Sequence, residues 1–419
     1  MSLTVGDSGG QRSVAAHSGR ADPLRVAFVL EGLALGGCPI NAIDLARTLR
    51  SRGHEVHLLA IDEQVLVSIL PYAEVAGFEV TLLPTKAGLL ARARQLRRYA
   101  EAHDLRVIHV FAPWLGRAAA LASGLRRRRI AVVLNWMMTN EFPTTSRTPL
   151  LVGTVGLHEE ALREHGSRAW LLEPPVDLAH DRPDAAAGAA FRAEYSITPT
   201  EVLLTVITRV DRVMKLSGIL MAMDAVAVRD DPDLRLAVVG DGNAMEQVRL
   251  HAAKVNAELG REAIILTGAL ADPHPAYAAT DVGLAMGGSA SRTLAHGRAL
   301  VVLGENGFSR LFEPASNDYF MSAGFFGTDE QPEPAQHLAA QLGRLDPGTR
   351  ESLGRWGLGV AEERFGLDAA ATRLEVIYRD CLVGASPAPV RLLDDAYLVS
   401  RHGLGVLRRA AAGPRRARS

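Results

Sequence analysis

A chain of 419 residues, 48% hydrophobic and 22% charged, is long enough for roughly two to three domains and apolar enough to bury large cores. Its formal net charge of -1 excludes wholesale nucleic-acid binding, because neutralising a phosphate backbone needs a basic excess. Cys38 and Cys381 are the only cysteines; they offer neither metal-ligand spacing nor a disulfide framework, which points to a reducing cytoplasm.

The start, MSLTVGDSGGQRSVAAHSGRADP (1–23), has no apolar core of signal-peptide length and reads as a flexible polar leader. Short β-branched runs then alternate with amphipathic stretches of helical length. RVAFVLEG (25–32) is a predicted strand, NAIDLARTLRSRG (41–53) a helix with Ile43, Leu45, Ala46 and Leu49 on one face, and EVHLLAI (55–61) the next strand. VTLLP (80–84), GLLARARQLRRYAEAH (88–103), VIHVF (107–111), a short helix and IAVVLNW (130–136) continue the alternation, and LLVGTV (150–155) and AWLLEP (169–174) close this half. EPPVDLAHDRPDAAAG (173–188), with three prolines and a polar, alanine-rich end, is the expected interdomain linker. A second set follows: EVLLTVIT (201–208), LRLAVVG (234–240), AIILTG (263–268), DVGLAM (281–286) and ALVVLG (299–304), with helices between them such as GILMAMDAVAV (218–228). Residues 360–382 read as one or two terminal helices, and the basic tail (384–419) as a solvated end or a weak contact for anionic lipid or a partner. No apolar run of roughly 18 residues suggests a membrane span. Strands alternating with helices predict two mainly parallel sheets, with ligands at the strand C-termini and a site in the cleft between them.

Three glycine-bearing loops and one cationic loop carry the chemistry. Gly36 and Gly37, in EGLALGGCPIN (31–41), allow close backbone approach to a ligand or simply a tight turn. Arg209 and Lys215, in TRVDRVMKLSG (208–218), suit a diphosphate, with Arg forking two oxygens and Lys acting as a point charge. Lys215 is one of three lysines in the chain, with Lys86 and Lys254. VVGDGNAMEQVRLHAA (238–253) is a strand, a turn and a helix. MGGSASRTLAHG (286–297) offers Gly287, Gly288, Ser289 and Ser291 at an expected helix start, where backbone amides favour an anion, yet places Arg292 in the expected first turn, where the dipole disfavours a cation.

In order, these stretches resemble family 4 glycosyltransferases over about residues 24–383. The carriers are RVAFVLEGLALGGCPINAIDLARTLRSRGHEV, RVDRVMK, DPDLRLAVVGDGNAMEQVRLHAA, IILTGALAD and FGLDAAATRLEVIYRDCL. The resemblance implies a GT-B fold: two Rossmann-like doubly wound α/β domains facing each other across a cleft. It implies an acceptor domain over 24–175, a nucleotide-sugar donor domain over 176–365 and a closing helix over 366–383 that packs back on the first domain. It further implies transfer from a nucleoside-diphosphate-sugar, UDP- or GDP-linked, with retention of anomeric configuration and no metal. The nucleotide-sugar is then a co-substrate and no cofactor is expected.

The chain departs from the family's pattern on both sides of the cleft: Phe111 and Met137 stand where a histidine is often found, and the donor side lacks a glutamate pair. Two glutamates eight positions apart are usual there, and the second aligns with Arg292; no acidic residue occurs from Val282 to Leu303. Either activity has been lost, leaving a nucleotide-sugar-binding protein, or the donor site is rebuilt. In the rebuilt site Arg209 and Lys215 act catalytically on the leaving diphosphate, Gly36, Gly37, Gly287, Gly288, Ser289, Ser291 and Arg292 help bind it, and Thr267, Gly268 and Glu305 are weaker nucleotide contacts. His109, Trp114, Asn135, Trp136 and Glu141 are the acceptor-side candidates at strand ends of the first half; His109, alternating within a strand, reads equally as a buried core residue. The expected acceptor is a small molecule, with a lipid-linked or cell-envelope acceptor as the alternative.

Overall fold

A computed structural model describes residues 22–65, 67–123, 130–137, 148–165 and 168–383. Most of the leader, Glu141 and the basic tail lie outside the described residues.

The first sheet contains β1 (Arg25–Leu30), β2 (Glu55–Ile61), β3 (Val80–Leu83), β4 (Val107–Val110), β5 (Ala131–Trp136), β6 (Leu150–Val152) and β7 (Ala169–Leu171). Their order is β3-β2-β1-β4-β5-β6-β7, and every neighbouring pair is parallel. β1, β4 and β5 are almost wholly buried, as strands covered on both faces must be. Helix α1 (Gly37–Ser51) connects β1 to β2 and buries Ile43, Leu45, Ala46 and Leu49, the face expected from sequence. It begins at Gly37 rather than Asn41, so the second glycine of the loop is already helical.

The second sheet contains β8 (Val202–Ile207), β9 (Leu234–Val239), β10 (Ile264–Gly268), β11 (Val282–Ala285), β12 (Ala299–Leu303) and β13 (Ser309–Leu311), ordered β10-β9-β8-β11-β12-β13. β13 pairs antiparallel with β12 at the edge; only three residues long, with Arg310 exposed between two buried neighbours, it carries too short a pattern to be read from sequence. In both sheets the strand order reverses beside the first strand of the set, which opens a crevice at the C-terminal ends of β1 and β4 and of β8 and β11.

The linker is shorter than its composition suggests. Its alanine-rich end forms helix α6 (Ala185–Glu194), capped by the Asp184 carboxylate, which accepts from Ala187 N at 2.9 Å. Gly188 lets α6 approach the chain at Ala278, where a Cβ would sit 2.7 Å from the carbonyl oxygen. The irregular part, 172–184, runs between the domains and touches both: Asp177 pairs with Arg47 at 2.6 Å, and Asp181 with Arg292 at 3.3 Å.

Two terminal helices form, α13 (Pro347–Arg364) and α14 (Leu367–Val383). Leu367, Ala370, Ala371, Leu374, Ile377, Tyr378 and Cys381 of α14 belong to the same core as β1, α1 and β4 of the first domain. Arg52 fixes α14 from outside through Asp368 and Glu375. The chain therefore returns to the first domain after completing the second, and no helix among the described residues is long and apolar enough to cross a membrane.

Candidate active site

A recess forms where β8 and β11 end. It is lined by Ile207, Thr208, Lys215, Met286, Ser289 and Leu303, among others. Two glycines keep its floor tight. Gly240, at φ +142°, passes so close to Thr208 that a Cβ would fall 1.9 Å from the Thr208 carbonyl oxygen; a Cβ on Gly242 would lie 2.4 Å from that of Val210. The Gly-Asp-Gly turn after β9 thus presses the loop after β8 into its course.

Lys215 stands at the N-cap of α7 (Leu216–Arg229). Burial, with the Arg209 charge adding to it and Asp211 opposing it, lowers the ammonium pKa from 10.5 to about 8. Lys215 is thus a partly desolvated cation at a helix start, beside a strand end: a site that favours phosphate oxygens. Arg209 is exposed; it pairs with Asp211 and reaches across the cleft to the Leu35 carbonyl at 3.2 Å. A Cβ on Gly36 would lie 3.7 Å from an Arg209 guanidinium nitrogen. The structure therefore brings Gly36, Gly37 and Arg209 together at the cleft, with Lys215 nearby.

Helix α10 spans Gly288–Ala295, which changes the reading of MGGSASRTLAHG. The helix starts four residues before the expected point, so Arg292 lies in the last turn, where the dipole favours a cation. Gly287, at φ +56°, caps the start. Ser289 faces the recess but donates its hydroxyl proton to the Ile207 carbonyl at 2.7 Å, tying α10 to the end of β8. Ser291 is buried. The Arg292 side chain turns to the linker instead of the recess: its Nε donates to Asp181 Oδ2 at 3.3 Å. Burial pulls the Arg292 pKa down, but Tyr277, Asp181, Asp44 and Tyr72 together hold it above the usual value. Asp44 and Tyr72 belong to the first domain, and the Tyr72 hydroxyl donates to Asp44 at 2.7 Å. Arg292 is thus the hub of a buried network between the domains, and its counter-ion comes from the protein. Of the weaker contacts, Thr267 donates to the Gly268 carbonyl at 2.9 Å, and Glu305 is half-buried in the turn after β12.

On the first domain, Trp114 is exposed and its indole N–H donates to Glu31 at 3.2 Å. Asn135 meets the Cys38 thiol. These groups lie at or just beyond the ends of β1, β4 and β5 and at the start of α1; Trp114 and Glu31 form the open face there, and Asn135 is buried beneath it. Trp136 is mostly buried. His109 is completely buried: its Nδ1 bonds the Tyr378 hydroxyl at 2.8 Å, Phe111 stacks on it, and Phe28 meets it edge-on. Burial lowers its pKa to about 3. This is the core placement of His109, beneath the closing helix and away from solvent. Two site residues carried no signal in the sequence. Glu31 sits in a loop read for its glycines, and Asp181 in a linker read for its prolines.

A His/Asp group that could hold a metal, His180, Asp181 and His274, also assembles among the described residues. The members come from the linker and from the start of α9 (His274–Ala279), too far apart for any sequence spacing to show.

Two parallel-sheet domains with switch-point crevices turned to a shared cleft, and a helix returning from the second to the first, define a GT-B fold. Residues 36–195 match the glycosyl transferase 4-like domain. Solved structures share the architecture. A glycosyltransferase from Rickettsia africae is 12% identical with a TM-score of 0.67, covering 87% of this chain and 100% of that one. HepE from Anabaena, in complex with UDP-glucose, is 15% identical with a TM-score of 0.64, covering 86% and 100%. WaaG, a glycosyltransferase involved in lipopolysaccharide biosynthesis, is 15% identical with a TM-score of 0.57, covering 86% and 100%. No curated protein matches by sequence.

Lys215 makes one expectation testable by pH alone. Below about pH 8 it carries its charge, and above it the free protein loses that charge. UDP affinity is expected to fall as pH rises through about 8 toward 9, and Lys215→Arg, which stays protonated, to flatten the profile. Titrations of both proteins across that range check it; parallel profiles would remove Lys215 from the diphosphate site.

Proposed function

We propose that the protein transfers a hexose-type sugar from a UDP- or GDP-linked donor to a small-molecule acceptor, with retention of anomeric configuration and without a metal at the reacting centre. The observation that carries this reading is the cation pair at the recess. Lys215 is partly desolvated at the start of α7, beside the ends of β8 and β11, and Arg209 reaches over the cleft from the same loop.

The chemistry follows from the position. Cleaving the bond between the sugar and the diphosphate leaves negative charge on the departing phosphate oxygen. Lys215, Arg209 and the amides at the starts of α7 and α10 are fixed before that charge develops, so they stabilise the transition state without reorganising. A donor held this way presents its sugar toward the face formed by Glu31 and Trp114, where the acceptor would stand. The leaving diphosphate, on the same side of the sugar as the incoming hydroxyl, guides same-face attack.

Incubation of the full chain with UDP- and GDP-sugars tests the reading. Release of the free diphosphate, by slow hydrolysis or by transfer to an added acceptor, is the expected result, with the product's anomeric configuration matching the donor's. Saturable binding with no release would make the protein a nucleotide-sugar binder of the same fold. An acceptor extracted into organic solvent would move the assignment to a lipid-linked or envelope acceptor.

A further inference from the structure

The loop from β8 to α7 holds an acid, Asp211, in the same turn as the two cations of the recess. A carboxylate beside a diphosphate site repels the ligand, so its place needs a reason. Its backbone is fixed on both sides. The Asp211 N–H donates to the Arg209 carbonyl at 3.0 Å, and the Asp211 carbonyl accepts from the N–H of Leu216, the first residue of α7, at 3.0 Å. Its neighbours are stitched to the turn after β9: the Val210 N–H donates to the Asp241 carbonyl at 3.0 Å, and the Arg212 N–H to Asn243 Oδ1 at 3.0 Å. The Asp211 side chain is 19% exposed, against 54% for the Arg209 side chain that it pairs with.

The pairing leaves the useful ends of both cations open. A guanidinium has five N–H donors. Arg209 Nε goes to Asp211 and one proton of Nη1 to the Leu35 carbonyl, so the remaining protons all lie on the Nη end that reaches over the cleft. Pinned by Nε, the carboxylate forms no ion pair with Lys215 among the described residues, yet its charge favours the ammonium against burial and against the Arg209 charge. The difference matters for binding. A carboxylate bonded to Nζ would occupy donors that phosphate needs, whereas one held at arm's length supports the charge and leaves the ammonium protons free. The lining of the recess adds no other titratable group: Thr208 and Ser289 are its other polar members.

We propose that Asp211 is the positioning residue of the diphosphate site: pinned by Arg209 Nε, it turns the Nη end to the cleft and stands as a counter-charge to Lys215 without contacting it. It acts through the two cations and not on the reacting atoms. This role rests on the recess holding the donor's diphosphate.

Titrating full-chain wild type and Asp211→Asn with UDP between pH 7 and 9 tests the role; the terminal phosphate of UDP, with a second pKa of about 6, stays ionised throughout. Asparagine keeps the shape and the main-chain bonds and removes the charge. Without the carboxylate the Lys215 ammonium gives up its proton more easily, so the fall in UDP affinity should move to lower pH by about 0.5–1 unit. The shift should vanish when Lys215→Arg is also present, because arginine does not titrate in this range. At pH 7, Asp211→Asn and Arg209→Ala should be non-additive in UDP affinity by at least about twofold, since both remove the same contact. An unmoved midpoint in Asp211→Asn, a shift that survives Lys215→Arg, or additive effects at pH 7 would each overturn the role. A wild-type profile that is flat over the whole range is a different failure: it would overturn the recess as the diphosphate site, and the role of Asp211 with it.

Discussion

Lys215→Ala is expected to weaken UDP and GDP binding by about 10²-fold, the upper end of the roughly 1.5–3 kcal/mol that a hydrogen bond to a charged group is worth. The size follows from desolvation. Lys215 has already lost much of its hydration, which is why its pKa falls to about 8, so little further cost attends its contact with phosphate. Arg209→Ala should cost far less, about tenfold, because the guanidinium is about half exposed and already engaged by Asp211 and the Leu35 carbonyl. The asymmetry separates a true clamp from a general basic patch, in which the more exposed arginine would matter as much as the lysine. Equilibrium binding of both nucleotides to purified, folded variants measures it. If Lys215→Ala binds UDP and GDP like wild type, the recess is not the diphosphate site.

The legible parts of this protein were those where one local rule acts alone. The strands of both sheets show as β-branched runs because they are buried on both faces. α1 shows because Ile43, Leu45, Ala46 and Leu49 line one stripe. Lys215 stood out as one of three lysines, and the structure places it at a helix start in the recess. Contacts between distant segments were illegible. Asp181 looks like any linker aspartate until the linker passes α10, and His180 and His274 become neighbours only when the domain closes around them. α10 was misplaced for a local reason. The run GGSAS looks like a loop by composition, yet Gly287 takes the positive φ that starts the helix and the small residues after it pack inside, moving Arg292 from the first turn to the last. The expected conflict between Arg292 and the helix dipole disappears with that shift.

The same shift makes Arg292→Glu a stability experiment before it is a binding one. The side chain is 15% exposed, and its partner Asp181 is 8% exposed. Replacing the arginine by glutamate leaves Asp181 with only the half-exposed His180 as a cation and puts a second carboxylate beside it, with the Asp44 carboxylate also near. Removing one member of a buried ion pair costs about 3–5 kcal/mol, and the added like charge increases the penalty. A cost of that size should lower the thermal unfolding midpoint by about 10 °C for domains of this size. Reversal of the pair separates charge from fit: Arg292→Glu with Asp181→Arg should recover part of the lost midpoint, because opposite charges again share the pocket. Calorimetry of the two variants and wild type, without nucleotide, reads this directly. If Arg292→Glu unfolds at the wild-type temperature while UDP binding drops, Arg292 serves the donor after all, and the linker pairing with Asp181 is incidental to the fold.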